Sequence, residues 1–150
     1  MRFRGTYDHA LDDKNRLTVP ARFREHFRTG VVLTKSVDGC IEAWRPEDFE
    51  EHVDSATEHL AAMSPQLRAS LRLLEGSAYD TQLDKVGRVA LTGPLVEHGG
   101  LGRDVTLVGT RRCLEIWDRE RWTELEAGLA DTVRAYTADP ATTPPGDLAS

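Results

Sequence analysis

The sequence Tyr7-Asp8-x-x-Leu11-Asp12-x-x-x-Arg16 recurs, in the same order and spacing, as Tyr79-Asp80-x-x-Leu83-Asp84-x-x-x-Arg88. A second block, Cys40-Ile41-Glu42-Ala43-Trp44, is matched by Cys113-Leu114-Glu115-Ile116-Trp117 at nearly the same offset. Two ordered matches at nearly constant spacing indicate a tandem duplication of one structural unit. The chain is therefore predicted to fold as two similar halves.

The duplication sets the predicted domain limits. We expect a first unit at residues 3–54, a linking helical segment at 55–76 and a second unit at 77–130. Residues 131–150 are expected to form a poorly ordered tail, because the segment from Asp139 onward is rich in proline and has few apolar residues.

Each repeat is predicted to contain a tight hairpin loop at its Asp-x-x-x-Arg motif. Asn15 and Gly87 occupy the same place in the two loops, and these residue types tolerate a positive φ best. A loop closed by a left-handed residue explains that match. Alternating apolar residues then predict a strand after each arginine.

Helices are predicted at several places by their end signals and apolar spacing. Pro20 begins a short one that contains Phe23 and Phe27, and Thr92 is a candidate cap for its counterpart. Further helices are predicted to begin at Pro46, at Ser64-Pro65 and after Asp118.

The charge of the chain is unevenly distributed. The net charge is −6, yet residues 1–28 hold seven basic and four acidic side chains. Because fields are screened over about 8–10 Å at physiological salt, a local basic face attracts a polyanion even on an acidic protein. No apolar run approaches the ~20 residues of a membrane helix, and the start has no apolar signal region. We expect a cytoplasmic, nucleoid-associated protein that does not bind a membrane.

The sequence gives little support to catalysis or metal binding. The five histidines form no His-x-x-x-His pair and the two cysteines no Cys-x-x-Cys cluster, so we expect no metal and no cofactor. Cys40 and Cys113 hold equivalent repeat positions beside apolar residues, which favours buried packing over a disulfide or a nucleophile. The chain is predicted not to be an enzyme and to have no small-molecule substrate.

The Asp-x-x-x-Arg pairs have two interpretations that are compatible. Asp12 with Arg16, and Asp84 with Arg88, form salt bridges that fix the loops. In the second interpretation, each arginine projects into DNA and binds a phosphate or the O6 and N7 atoms of guanine. Further basic residues surround Arg16 in sequence, namely Arg2, Arg4, Lys14, Arg22 and Arg24. Their counterparts near Arg88 are largely neutral, so the first copy is predicted to carry most of the DNA contact.

These motifs resemble the MraZ family. The similarity includes Phe3-Arg4-Gly5-Thr6 and the segment 11–21, and the family's Asp-x-x-x-Arg signature falls on Asp12/Arg16 and Asp84/Arg88. The resemblance implies an α+β fold of two tandem swapped-hairpin, AbrB-like β units that form a pseudo-dimeric β-barrel with peripheral helices. It also implies a ring-like homo-oligomer that regulates transcription by binding double-stranded DNA. The expected targets are short G-rich direct repeats upstream of the division and cell-wall gene cluster.

The resemblance also orders the candidate residues. Arg16 is the expected leading DNA contact, with Lys14, Arg2, Arg4, Arg22 and Arg24 as weaker phosphate contacts. Arg88 is a secondary reader or a structural partner of Asp84. Two other functions stay open: an AbrB-like antitoxin whose main partner is a toxin protein, and an enzyme or ligand sensor that uses a cleft between the repeats.

Overall fold

The computed structural model describes residues 2–138 as an α+β fold. The strands are β1 (Thr6–Ala10), β2 (Arg16–Thr18), β3 (Val31–Lys35), β4 (Ile41–Trp44), β5 (Tyr79–Thr81), β6 (Arg88–Ala90), β7 (Asp104–Gly109) and β8 (Cys113–Asp118). The helices are α1 (Ala21–Arg24), which continues into a 3-10 turn (Glu25–Phe27), α2 (Pro46–Thr57), α3 (Pro65–Leu74), α4 (Gly93–Gly99) and α5 (Arg119–Ala138). All strand pairs are antiparallel. The predicted α+β class is confirmed.

The two repeats exchange strands. The main sheet has the order β1-β7-β8-β4-β3-β5, so β1 of the first repeat pairs with β7 of the second. Reciprocally, β5 of the second repeat pairs with β3 of the first. The equivalent strands β4 and β8 pair with each other at the centre of the sheet. Both repeats therefore lie in one compact unit that extends to Arg119.

A separate two-stranded ribbon is formed by β2 and β6. Leu17 is paired with its repeat equivalent Val89, so a pseudo-two-fold axis passes through this pair. Leu17 and Val89 are 1% and 2% exposed, and they belong to the main apolar cluster. Side chains alternate along a strand, so the residues on either side of them, Arg16 and Arg88 among them, lie on the outer face of the ribbon.

The predicted closed barrel is not found among the described residues. β1 and β5 have a strand partner on one side only and form the two edges of the main sheet. The short strands β2 and β6 pair with each other instead of joining those edges. This separate pairing leaves an open six-stranded sheet together with a two-stranded ribbon.

The predicted helices are present, with two corrections. Ser64 caps α3 by accepting a hydrogen bond from the Leu67 N–H (3.1 Å), as expected. Thr92 stands at the start of α4, but its hydroxyl makes no capping bond. Its targets are missing: Pro94 has no N–H, and the Leu95 N–H donates to the Thr92 backbone carbonyl (3.1 Å).

Helix α5, taken by itself, continues past the predicted end of the second unit. It runs to Ala138, so residues 131–138 are helical and not part of a poorly ordered tail. The reason is that the first proline after Arg119 is Pro140, so no proline interrupts the segment before that point. The proline-rich residues 139–150 lie outside the described part of the chain.

Candidate nucleic-acid interface

The first Asp-x-x-x-Arg loop is organised by the carboxylate of Asp12. Its Oδ1 accepts hydrogen bonds from the backbone N–H groups of Lys14 (2.9 Å) and Arg16 (2.8 Å). Its Oδ2 accepts a third from the Arg16 Nε (2.6 Å). Asn15 closes the loop at φ = 55°, in the left-handed region predicted for it.

The second loop repeats this network atom for atom. Asp84 Oδ1 accepts from the backbone N–H groups of Val86 (3.0 Å) and Arg88 (2.9 Å), and Oδ2 accepts from the Arg88 Nε (2.8 Å). Gly87 has φ = 85° and takes the place of Asn15. The predicted ion pairs and the predicted left-handed residues are therefore confirmed in both loops.

Each ion pair uses only one edge of its guanidinium. Nε is engaged, and the terminal nitrogens of Arg16 and Arg88 make no hydrogen bond to any residue in the range 2–138. The two side chains are 31% and 33% exposed. Each loop therefore holds an arginine in a fixed direction while its two terminal nitrogens stay available to a ligand.

The same hydrogen bonds keep the two aspartates ionised. In Asp12 the backbone N–H of Arg16 is the main cause that lowers the pKa, and the guanidinium adds to it. The pKa of Asp84 is lowered in the same way by the backbone N–H of Arg88. At neutral pH both loops thus carry a carboxylate bound to an arginine.

Backbone bonds between the repeats place the two loops side by side. The Val19 N–H donates to the Gly87 carbonyl (2.9 Å), and the Leu91 N–H donates to the Asn15 carbonyl (3.0 Å). Arg16 is opposite Ala90 in the ribbon, and Arg88 is opposite Thr18. The two arginines are thus diagonal neighbours, for which about 7–8 Å is typical. One outward surface carries both motifs.

The additional basic residues have different surroundings in the fold. Lys14 is exposed in the first loop, as expected, and Lys85 is exposed in the second. Arg24 comes from the first repeat, but its Nε donates to the Val19 carbonyl (3.0 Å) and its guanidinium lies over Gly87. The second loop therefore receives a basic side chain from the other repeat.

Arg22, another predicted phosphate contact, contacts β1 through Tyr7. The Arg22 Nη1 donates to the Tyr7 hydroxyl (2.7 Å), and its guanidinium stands 5.1 Å from the centre of that ring. The Tyr7 hydroxyl in turn donates to the Arg4 backbone carbonyl (3.1 Å), so Tyr7 links the Arg22 side chain to the backbone just before β1.

Arg2 precedes β1 in the chain. It lines a hollow with Asp48, Arg111 and Arg112, next to the bridge between Phe3 and Arg111. Strand β1 separates this hollow from the first loop, and its five residues rise about 3.4 Å each. Arg2 and Arg4 precede β1 whereas Arg16 follows it, and their roles as phosphate contacts stay a prediction.

The remaining chemical groups are arranged for packing. Cys40 and Cys113 are buried and unbonded to each other, as predicted. Burial raises the pKa of both thiols, that of Cys113 to about 12, so both stay protonated and weakly nucleophilic at neutral pH. Within residues 2–138 no three His, Cys, Asp or Glu side chains converge as metal ligands would.

No helix in the described part of the chain has both the length and the apolar character needed to cross a membrane.

The structure defines a class: an α+β protein of two strand-exchanged repeats that presents a pair of Asp–Arg hairpin loops on one face. The chain belongs to the MraZ family, whose model, described as "MraZ protein, putative antitoxin-like", matches residues 2–72 and 74–141. It is 40% identical over 134 residues to "Transcriptional regulator MraZ" of Micrococcus luteus, covering 87% of this chain and 93% of that protein. The proteins of the same name from Moorella thermoacetica and from a Nocardioides species are 37% and 35% identical, covering 89% and 95% of this chain and 92% and 99% of theirs.

Proposed function

We propose that this protein is a DNA-binding transcriptional regulator that recognises its site through the paired Asp–Arg loops. Similarity to relatives named as transcriptional regulators supports the general activity. DNA binding is assigned to the outer face of the β2–β6 ribbon because Arg16 and Arg88 both lie there with their terminal nitrogens available.

The shape of the ribbon suits a DNA groove. The major groove of B-form DNA admits a two-stranded β-ribbon, and guanine presents O6 and N7 there as a pair of acceptors. The terminal nitrogens of an arginine donate to those two acceptors in a fork. Because Asp12 and Asp84 already hold the Nε atoms, less side-chain freedom is lost when DNA binds than for an unrestrained arginine.

The residue roles follow from this placement. Arg16 remains the leading base contact, and Arg88 becomes a second contact of the same kind because its loop has the same hydrogen bonds. Lys14 is exposed beside Arg16 and is assigned to a phosphate. Arg22 beside β1, and Arg2 and Arg4 before it, stay candidates for weaker phosphate contacts.

The resemblance to the family supports a more specific target and assembly. We propose that the chain binds short G-rich direct repeats upstream of the division and cell-wall gene cluster, and that its interlocked repeats are AbrB-like units. We also propose a ring-like homo-oligomer, because several weak sites joined together gain affinity on repeated DNA. The protein would act in the cytoplasm at the nucleoid, without catalysis or a cofactor.

The direct test is footprinting on the DNA upstream of the protein's own gene. We expect protection of a G-rich repeated segment by the wild-type protein and none by the double variant Arg16→Ala/Arg88→Ala. Binding should also weaken steeply as salt is added, since phosphate contacts release counterions. Equal protection by both proteins, or protection unrelated to sequence, would contradict the proposal.

A second candidate is an antitoxin, favoured by the description of the matching family as antitoxin-like. On that hypothesis a small toxin protein is the main partner. Affinity purification of the native protein from its own cells distinguishes the two: a stoichiometric small protein supports the antitoxin, and co-purifying DNA alone supports the regulator.

A further inference from the structure

A groove of about 250 Å³ lies beside the second loop, between elements of the two repeats. Arg24, Glu25 and Arg28 line it from the first repeat, and Gln82 and Leu83 line it from the second, immediately before Asp84. Its walls thus carry two guanidiniums, one carboxylate and one amide next to a motif that already presents Arg88.

The Arg24 side chain is held by a hydrogen bond to Val19 and by the space above Gly87. Its Nε donates to the Val19 carbonyl (3.0 Å), and the Val19 N–H donates to the Gly87 carbonyl (2.9 Å). A side chain on Gly87 would place its Cβ 2.7 Å from the Arg24 Cζ, so the absence of a side chain there makes room for the guanidinium. The terminal nitrogens of Arg24 make no hydrogen bond to residues 2–138.

Arg28 is held only loosely. It pairs with Glu25 at 3.1 Å, but the two side chains are 76% and 61% exposed, and ion pairs of this kind contribute little. The Arg28 guanidinium can therefore leave Glu25 and bind a polyanion with little loss of free energy. The Glu25 carboxylate also lines the groove.

The other half of the molecule has no equivalent basic charges, and only the acidic Glu25 has a charged counterpart, Glu97. The repeat partners of Arg24, Arg28 and Gln82 are Val96, Gly100 and Ala10, all of which are uncharged. The two loops on either side of the pseudo-two-fold axis thus have the same hydrogen bonds, but only the second loop has these additional arginines beside it.

We infer that this groove binds the sugar–phosphate backbone of duplex DNA on the flank next to the second loop. This inference rests on the proposed function. It adds that the protein contacts more DNA phosphates on the Arg88 side of its site than on the Arg16 side. Arg24 and Arg28 act on the backbone and not on the bases, so their contribution is independent of sequence.

The test uses fluorescence anisotropy on a duplex that carries the footprinted site, over a range of salt concentrations. Each of the substitutions Arg24→Ala and Arg28→Ala should lower the slope of log affinity against log salt by about one, with an equal fold-loss on an unrelated duplex. The matched control is Arg68→Ala/Arg72→Ala on α3, which removes two exposed arginines of the same spacing and should leave the slope unchanged.

A second measurement locates the contact. Replacing single phosphates by neutral methylphosphonates should weaken wild-type binding on one flank only, and the variant Arg24→Ala/Arg28→Ala should be insensitive to the same replacements. Arg28→Ala alone guards against misfolding, because it removes only an exposed pair. If the wild type binds but the Arg24 and Arg28 variants keep its salt slope, the groove does not contact phosphates, and the proposed function stands. If the wild type does not bind the duplex, the proposed function is wrong.

Discussion

The two Asp–Arg loops have the same hydrogen bonds, but their surroundings differ. Asn15 at the turn of the first loop is exposed, whereas Gly87 at the same place in the second is buried beneath Arg24. Likewise Tyr7 is covered by Arg22, whereas its counterpart Tyr79 is 38% exposed. Duplication has preserved the network that directs each arginine, and the residues around it have diverged.

This difference shows that charge near a residue in sequence is a poor guide when repeats exchange strands. Arg24 lies eight positions after Arg16 in the chain. In the fold it belongs to the loop of Arg88. The apparent imbalance between a basic first motif and a neutral second motif is therefore reduced in the folded protein.

The first prediction concerns the ribbon that both loops share. Leu17→Ala should lower the free energy of unfolding by about 2–5 kcal/mol, because it removes a buried side chain at the pseudo-two-fold axis. Urea denaturation measures the effect. The exposed neighbour Thr18→Ala is the control, and an equally small loss in both variants would show that the ribbon does not hold the repeats together.

The second prediction separates the two turn residues. Gly87→Ala should cost about 1–3 kcal/mol, because alanine is strained at φ = 85° and its Cβ meets Arg24. Asn15→Gly should be close to neutral, since glycine adopts φ = 55° freely and nothing covers that turn. Thermal unfolding of both variants checks this, and a loss at Asn15→Gly as large as at Gly87→Ala would contradict the comparison.

The third prediction concerns the centre of the sheet, where Glu42 and Glu115 face each other across β4 and β8. Burial is the main cause that raises both pKa values, and for Glu42 the Glu115 carboxylate adds to it. A raised folded-state pKa means that these groups stabilise the fold at low pH and lose that contribution as pH rises through the raised pKa. Trp44 and Trp117 donate to these carboxylates and keep them in place.

Glu42→Gln should therefore stabilise the protein at neutral pH by about 0.2–1 kcal/mol, because it removes a half-buried charge that also lies directly opposite a like charge. The gain should vanish below the ordinary carboxyl pKa, where both glutamates are protonated. Denaturation at a series of pH values measures it, with the exposed Glu58→Gln as control. A gain that is independent of pH would exclude repulsion as its cause.

Much of the fold could be predicted because its signals are local. The left-handed residues Asn15 and Gly87, the Ser64 cap and the Asp–Arg pairs each depend on neighbours within a few positions. Strand exchange was implied only by the resemblance to swapped-hairpin units, because the apolar alternation of β1 does not specify whether it pairs with β3 or with β7.

Arg28 and Gln82 were missed for the same reason. They are 54 positions apart in the numbering, and only the exchange of strands brings them to one groove. The covered turn at Gly87 gave a partial signal, since a glycine there where the first repeat has asparagine indicates that something approaches closely. Sequence alone does not say that the approaching group is Arg24.

The central claim is that both loops contact DNA from one surface, and one titration tests it most directly. Binding of the footprinted duplex should be measured by fluorescence anisotropy for the wild type, Arg16→Ala, Arg88→Ala and the double variant, with unfolding curves to confirm that each protein is folded. The account predicts a loss of about 1–3 kcal/mol of binding free energy for each single variant and a larger loss for the double variant. A folded Arg88→Ala variant that binds as tightly as the wild type would contradict it.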